Sequence, residues 1–151
     1  MIYIVNWGSP SESCDDFGPL LGTILTEDYK FDKEVTVLGT CKNPLHTIKD
    51  YNVIKDILSK SVVDCVICTD AAISNNDKKG KLIYRSSGVR PGIGCGRSTE
   101  PIGDVGILFA IGDNMNNLPS RTTKINKVLD AATIIAQIVN ANKNKKYIYK
   151  I

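Results

Sequence analysis

The chain has 151 residues, 42% hydrophobic and 23% charged, a length that fits about one domain and a composition that excludes a disordered or fibrous chain. About 150 residues can bury roughly two-thirds of their extended-chain surface, enough for a real core. The formal charge is only +3, no stretch reaches the roughly 20 apolar residues of a spanning helix, and Met1 leads into Ile2-Tyr3-Ile4-Val5 without a basic flank or cleavage pattern, so no membrane partner and a cytoplasmic location are expected.

The apolar run Met1 to Val5 predicts a strand. After a polar loop, Phe17, Leu20, Leu21, Ile24 and Leu25 recur at helical spacing, with Pro19 suited to the first turn and Ser13, Asp15 or Asp16 able to cap it. A second strand around Glu34–Leu38 leads through Gly39 and Asn43-Pro44 into a helix carrying Ile48, Tyr51, Ile54, Ile57 and Leu58 on one side. The third strand, Val62 to Thr69, ends at Asp70. A shorter strand, Lys81 to Arg85, follows the turn-like Asn75–Gly80, with an antiparallel placement open to it. Past a Gly-rich loop come a strand at Val105–Ile111 and a helix from Arg121 to Asn142, built on Ile125, Val128, Leu129, Ala132, Ile135, Ala136 and Val139. Strands alternating with helices predict a three-layer α/β/α sandwich around a mostly parallel five-stranded sheet. One domain over residues 1–142 is expected, followed by a basic tail over 143–151, where Lys143, Lys145, Lys146 and Lys150 meet no acid. A solvated terminal run accounts for that tail more simply than nucleic acid, which is not expected as a partner.

Five cysteines in an odd set do not form the dense framework of a small secreted domain. Cys65 and Cys68 form a C-x-x-C, but three positions apart on a strand they face opposite sides, which suits core residues better than a redox or zinc pair.

Function in an open α/β sheet lies beyond the carboxyl ends of the strands. Here those segments are acidic: Asn6–Asp16 after the first strand, Asp70 after the third, and Gly112-Asp113-Asn114 after the Val105 strand. Two carboxyls held close resist double ionisation and can divide acid and base roles, the chemistry of hydrolysis. A helix start favours an ionised carboxylate in the first loop, so Asp70 is the expected proton holder, although capping and a local turn are competing roles for the two groups. The single histidine, His46, stands near a helix start, where it either packs or reaches Asp15 or Asp70 as a shuttle or ligand. The Gly88–Gly96 segment leads to no helix, so it is no dinucleotide fingerprint. Its glycines either let a backbone approach closely or serve an irregular loop that needs positive φ, with Arg90 and Arg97 available to anchor a carboxylate and Asp104 to hold the loop. Cys14 before the helix start offers thiol chemistry as another class, and no Gly-x-Ser-x-Gly elbow is present.

Asn6-Trp7, Asp15-Asp16-Phe17-Gly18-Pro19, Thr69-Asp70-Ala71 and Ser87–Gly96 resemble the ordered motifs of the bacterial spore germination protease. Gly39-Thr40, Pro44-Leu45-His46, Asp70-Ala71, Arg90–Gly94 and Ile102–Ile107 resemble more closely still the small single-domain YyaC-like sporulation proteins. The resemblance spans nearly the whole chain. It implies a phosphorylase/hydrolase-like fold shared with hydrogenase maturation proteases, and an aspartic-type endopeptidase whose essential aspartates match Asp15 and Asp70. In the hydrogenase maturation group the corresponding acids join a histidine on the metal of the substrate; the later loop here has no such histidine. The resulting expectation is catalysis by Asp15 and Asp70, substrate binding by Asp16, His46, Arg90, Gly92 and Gly94, no cofactor and no protein-held metal. Peptides or proteins, small spore proteins among them, are the implied substrates, and the forespore or spore the implied compartment. Oligomerisation stays open, and a non-catalytic peptide- or metal-binding protein on the same fold is the alternative.

Overall fold

The computed structural model describes residues 1–92 and 99–149, with the backbone alone for 144–149. In chain order the elements are β1 (Ile2–Asn6), α1 (Phe17–Glu27), β2 (Val35–Leu38), α2 (Thr47–Lys60), β3 (Cys65–Ile73), β4 (Leu82–Arg85), β5 (Val105–Ile111) and α3 (Arg121–Tyr149). They form a five-stranded sheet in the order β2-β1-β3-β5-β4. The first four strands are parallel and β4 runs antiparallel to β5.

Alternation along the strands divides the core in two. On one face Ile2, Ile4, Cys65, Ile67, Ile107 and Phe109 pack with Phe17, Leu21 and Leu25 of α1 and Val128, Ala132 and Ile135 of α3. On the other, Tyr3, Val5, Val66, Cys68 and Leu108 pack with Trp7, Val89, Ile102 and Ile54 of α2. Cys65 and Cys68 thus sit on opposite faces, as a strand spacing of three requires, and burial pushes the Cys68 thiol up to about 12 against the opposing Trp7 indole N–H. The three layers are therefore two helices, the sheet, and one helix together with the Val89 and Ile102 bridge.

Helix α1 lies very close to the sheet ends because two of its residues lack a side chain. A Cβ on Gly18 would stand 2.0 Å from the Trp7 carbonyl oxygen, and one on Gly22 only 1.8 Å from that of Gly39. Two boundaries differ from the periodicity reading. Strand β3 continues three residues past Asp70, because Asp70 to Ile73 keep register with Leu108 to Ile111 of β5. Helix α3 runs on through Tyr149, taking Lys143 and the residues after it into the helix.

Candidate functional site

Strand β1 has β2 on one side and β3 on the other, so the chain leaves the sheet in opposite directions on either side of the β1–β3 boundary. That is where an open α/β sheet forms its crevice. Asn6 and Thr69 are aligned across it, fully buried, with the Thr69 hydroxyl donating to Asn6 Oδ1 at 2.7 Å and Asn6 Nδ2 donating to the Leu38 carbonyl at 3.0 Å. These polar side chains tie the ends of β2, β1 and β3 together. Beyond them Trp7 N–H donates to the Thr69 carbonyl and Gly8 N–H to that of Leu45, which brings the residue before His46 to the loop after β1.

Asp15 closes this loop. Its carbonyl and its Oδ2 both accept the Ser9 N–H, at 2.9 and 3.2 Å, while its own N–H donates to Glu12. Burial raises its carboxyl above the ordinary carboxylate range, the Ser9 N–H and His46 oppose the rise, and Asp16 and Glu12 add to it. Asp70 stands on the α2 face of β3, partly exposed, with Oδ1 accepting the Ala71 N–H at 2.9 Å. Burial holds its carboxyl well above the usual range, and the next largest cause is negative charge on Asp15. Charge on Asp15, distant in sequence, thus adds to the upward push on Asp70, which is the more strongly raised of the two.

The other expected site residues divide. His46 is the exposed N-cap residue of α2; its backbone N–H donates to Asp50 Oδ2 at 2.7 Å, leaving the imidazole without a capping role, and its charge acts on Asp15. Asp16 is the N-cap residue of α1 but makes no side-chain cap. Both its oxygens instead meet Lys124 Nζ of α3, at 2.9 and 3.0 Å. Arg90 is exposed. Gly88 and Gly92 have φ of +75° and +80°, the backbone conformation that L side chains avoid, and Val89 bridges Ile102 antiparallel between them and the return of the chain. Asp104 anchors that return, its Oδ2 accepting the Val66 N–H at 2.8 Å, and the Tyr51 hydroxyl donates to the Glu100 carbonyl at 2.9 Å. Gly94 and Arg97 lie outside the described residues.

Two expectations change. Asp113 does reach the carboxyl-end edge, but hydrogen bonds from Asn117 hold it below the ordinary range, and its backbone N–H donates to Asn76; it belongs to a local asparagine turn. The Cys14 thiol is raised, by burial and by the acidic neighbours Asp15, Glu12 and Asp16, so its position before a helix does not produce a thiolate. Among the described residues no group of three or more His, Cys, Asp and Glu is placed to hold a metal. Sequence reasoning missed Lys124, although a signal existed: it stands one turn before buried Val128, on the stripe that continues through Ala131, Ala132 and Ile135.

Residues 1–138 match the model of the family described as "Protein of unknown function (DUF1256)". No curated protein matches the chain. Among solved structures, the NiFe hydrogenase maturation protease HycI from Thermococcus kodakarensis KOD1 superposes with a TM-score of 0.60 at 22% identity, over 92% of each chain. The hydrogenase 2 maturation peptidase from Thaumarchaeota archaeon SCGC_AB-539-E09 gives 0.56 at 13% identity, over 92% of this chain and 97% of that one. At such identities the likeness is one of fold.

Proposed function

The chain belongs to the DUF1256 family, which is that of the YyaC-like proteins, and on this premise we propose that it is a peptidase of the aspartic type acting on polypeptide substrates. The observation that carries the reading is that burial and the charge of Asp15 both favour the protonated form of Asp70. Asp15, whose carboxylate receives the Ser9 N–H and faces the charge of His46, is the base. It takes a proton from water as the water oxygen bonds to the peptide carbonyl carbon, while Asp70 gives its proton to the carbonyl oxygen. On collapse the C–N bond breaks, the proton on Asp15 passes to the leaving nitrogen, and the hydroxyl proton returns to Asp70. His46, exposed beside Asp15, is placed to exchange protons with solvent. A cleft of about 650 Å³ opens along Thr23, Gly39, Thr40, Lys42 and Leu45, next to His46, and gives a substrate side chain room at the end of β2. The sporulation setting rests on the motif resemblance.

The test is cleavage by the purified chain of small spore proteins and a mixed peptide library, monitored by mass spectrometry. Asp15→Asn and Asp70→Asn should each lower the rate about 10²-fold or more, the usual contribution of a positioned acid or base. Cleavage that survives the double substitution would falsify the assignment. A second reading is favoured by the Ser9 N–H on Asp15 Oδ2, which gives that carboxylate a local structural role: a peptide-binding protein without turnover. Its signature is saturable calorimetric binding with the peptide recovered intact.

A further inference from the structure

The loop that carries Asp15 is gripped from outside by one side chain more than a hundred residues away. Lys124 Nζ meets both carboxylate oxygens of Asp16 and also donates to the Ser13 carbonyl at 3.3 Å, so its contacts fall on the residues bracketing Cys14 and Asp15. The pair is mostly enclosed, with side chains 14% and 17% exposed. Surface ion pairs are loose and screened; one this covered, with three contacts from a single ammonium, fixes geometry. Asp16 gains no capping bond at the start of α1 in return, so the contact serves the loop rather than the helix end.

We propose that Lys124 is a positioning residue for Asp15: it fixes the loop that aims the carboxylate, and it cancels the Asp16 charge beside it. This deepens the peptidase reading and rests on it. The charged and titratable groups facing Asp15 are Glu12, Cys14 and Asp16 from its own loop, His46 from the start of α2, Asp70 from β3, and Lys124 from α3, acting through Asp16. Losing the cation leaves Asp16 an uncompensated neighbour that disfavours the Asp15 carboxylate. Losing Asp16 leaves the cation alone, and that favours it. The two halves of the clamp therefore act on Asp15 with opposite sign, whereas a mere loss of loop structure would move its midpoint the same way in both variants.

The experiment follows the Asp15 carboxyl by carbon-13 NMR titration in the full chain, for wild type, Lys124→Met, Lys124→Arg and Asp16→Asn, alongside peptide cleavage rates. The Asp15 midpoint should rise by about half a pH unit or more in Lys124→Met, fall in Asp16→Asn, and stay near wild type in Lys124→Arg. In both clamp-breaking variants kcat should drop about tenfold with KM little changed, since orientation rather than binding is lost. Midpoints that do not move, or that move together in the same direction, overturn the proposal. If Lys124→Met does not fold, the downward shift in Asp16→Asn decides alone. Absence of cleavage in wild type defeats the peptidase reading, while the titration still judges the clamp.

Discussion

Asp70 illustrates how a buried carboxyl, here proposed as a catalytic acid, works against the fold. Its carboxyl is raised in the folded protein, so below the pKa of the unfolded chain both states carry the proton and the group is neutral toward stability. As pH rises past the unfolded value, about 3.9, the unfolded chain ionises while the folded one still holds its proton, and stability is lost until the folded value is passed. Asp15 is raised too and contributes in the same direction. Asp70→Asn removes this penalty and keeps an oxygen for the Ala71 N–H. It should be more stable than wild type at neutral pH by about 1 kcal/mol, an ordinary gain for one stabilising substitution, while losing activity. Urea titrations at pH 4 and pH 7 check it: the advantage should be present at pH 7 and shrink at pH 4. On the proposed peptidase mechanism, cleavage should follow a bell-shaped pH profile, with Asp15 on the acid limb and Asp70 on the alkaline limb, as rates measured across pH would show. The sequence directs attention to both aspartates, Asp70 by its place at the end of an apolar run and Asp15 through the motif resemblance, while their catalytic roles rest on the proposal. Lys124 was not singled out, because periodicity alone does not say which distant loop an inward-facing lysine meets.

At the scale of elements, α1 decides whether the site exists, since its first turn follows Asp15 directly. The helix is seated by backbone contact more than by side-chain interlocking. Gly22 has the Gly39 carbonyl where a Cβ would be, and Asn6 Nδ2 lies 3.1 Å from that same point, so added bulk would press on the group that links β1 to β2. Gly22→Ala should cost about 3 kcal/mol, the upper end for overpacking, because a backbone carbonyl cannot rotate away. A urea midpoint equal to wild type would show that α1 can lift without cost. Helical spacing located all three helices, and apolar runs located the strands. The end of β3 was misjudged for a physical reason. Asp70-Ala71-Ala72 lacks strand-forming character and reads as a stop, whereas pairing with β5 carries the backbone on to Ile73. Of the capping candidates Ser13, Asp15 and Asp16, Asp16 stands at the N-cap position, but tertiary pairing with Lys124 engages the oxygens a cap would use.

Across the whole molecule the two outer layers are unequal. The face under α1 and α3 buries long apolar rows, including the stacked Phe17 and Phe109 rings with centroids 5.0 Å apart. The opposite layer rests on a single helix in which Ile54 is the buried residue, with Ile48 74% and Val53 55% exposed. Local stability follows apolar contact, so the molecule should open first at α2. That layer also carries His46 at its start, and Tyr51 ties it to Glu100 of the connection before β5. Opening there would loosen one wall of the crevice while β1, β3 and α1 hold the aspartates in place. Hydrogen exchange followed by mass spectrometry should therefore find α2 amides exchanging at least about tenfold faster than those of α1, a gap of about 1.4 kcal/mol in opening free energy. Tyr51→Phe removes the hydroxyl bond to Glu100 and should widen the gap without altering α1. Equal protection in the two helices would mean that the sheet and both layers open as one unit, and the crevice would then have no wall that moves independently of its carboxyl pair.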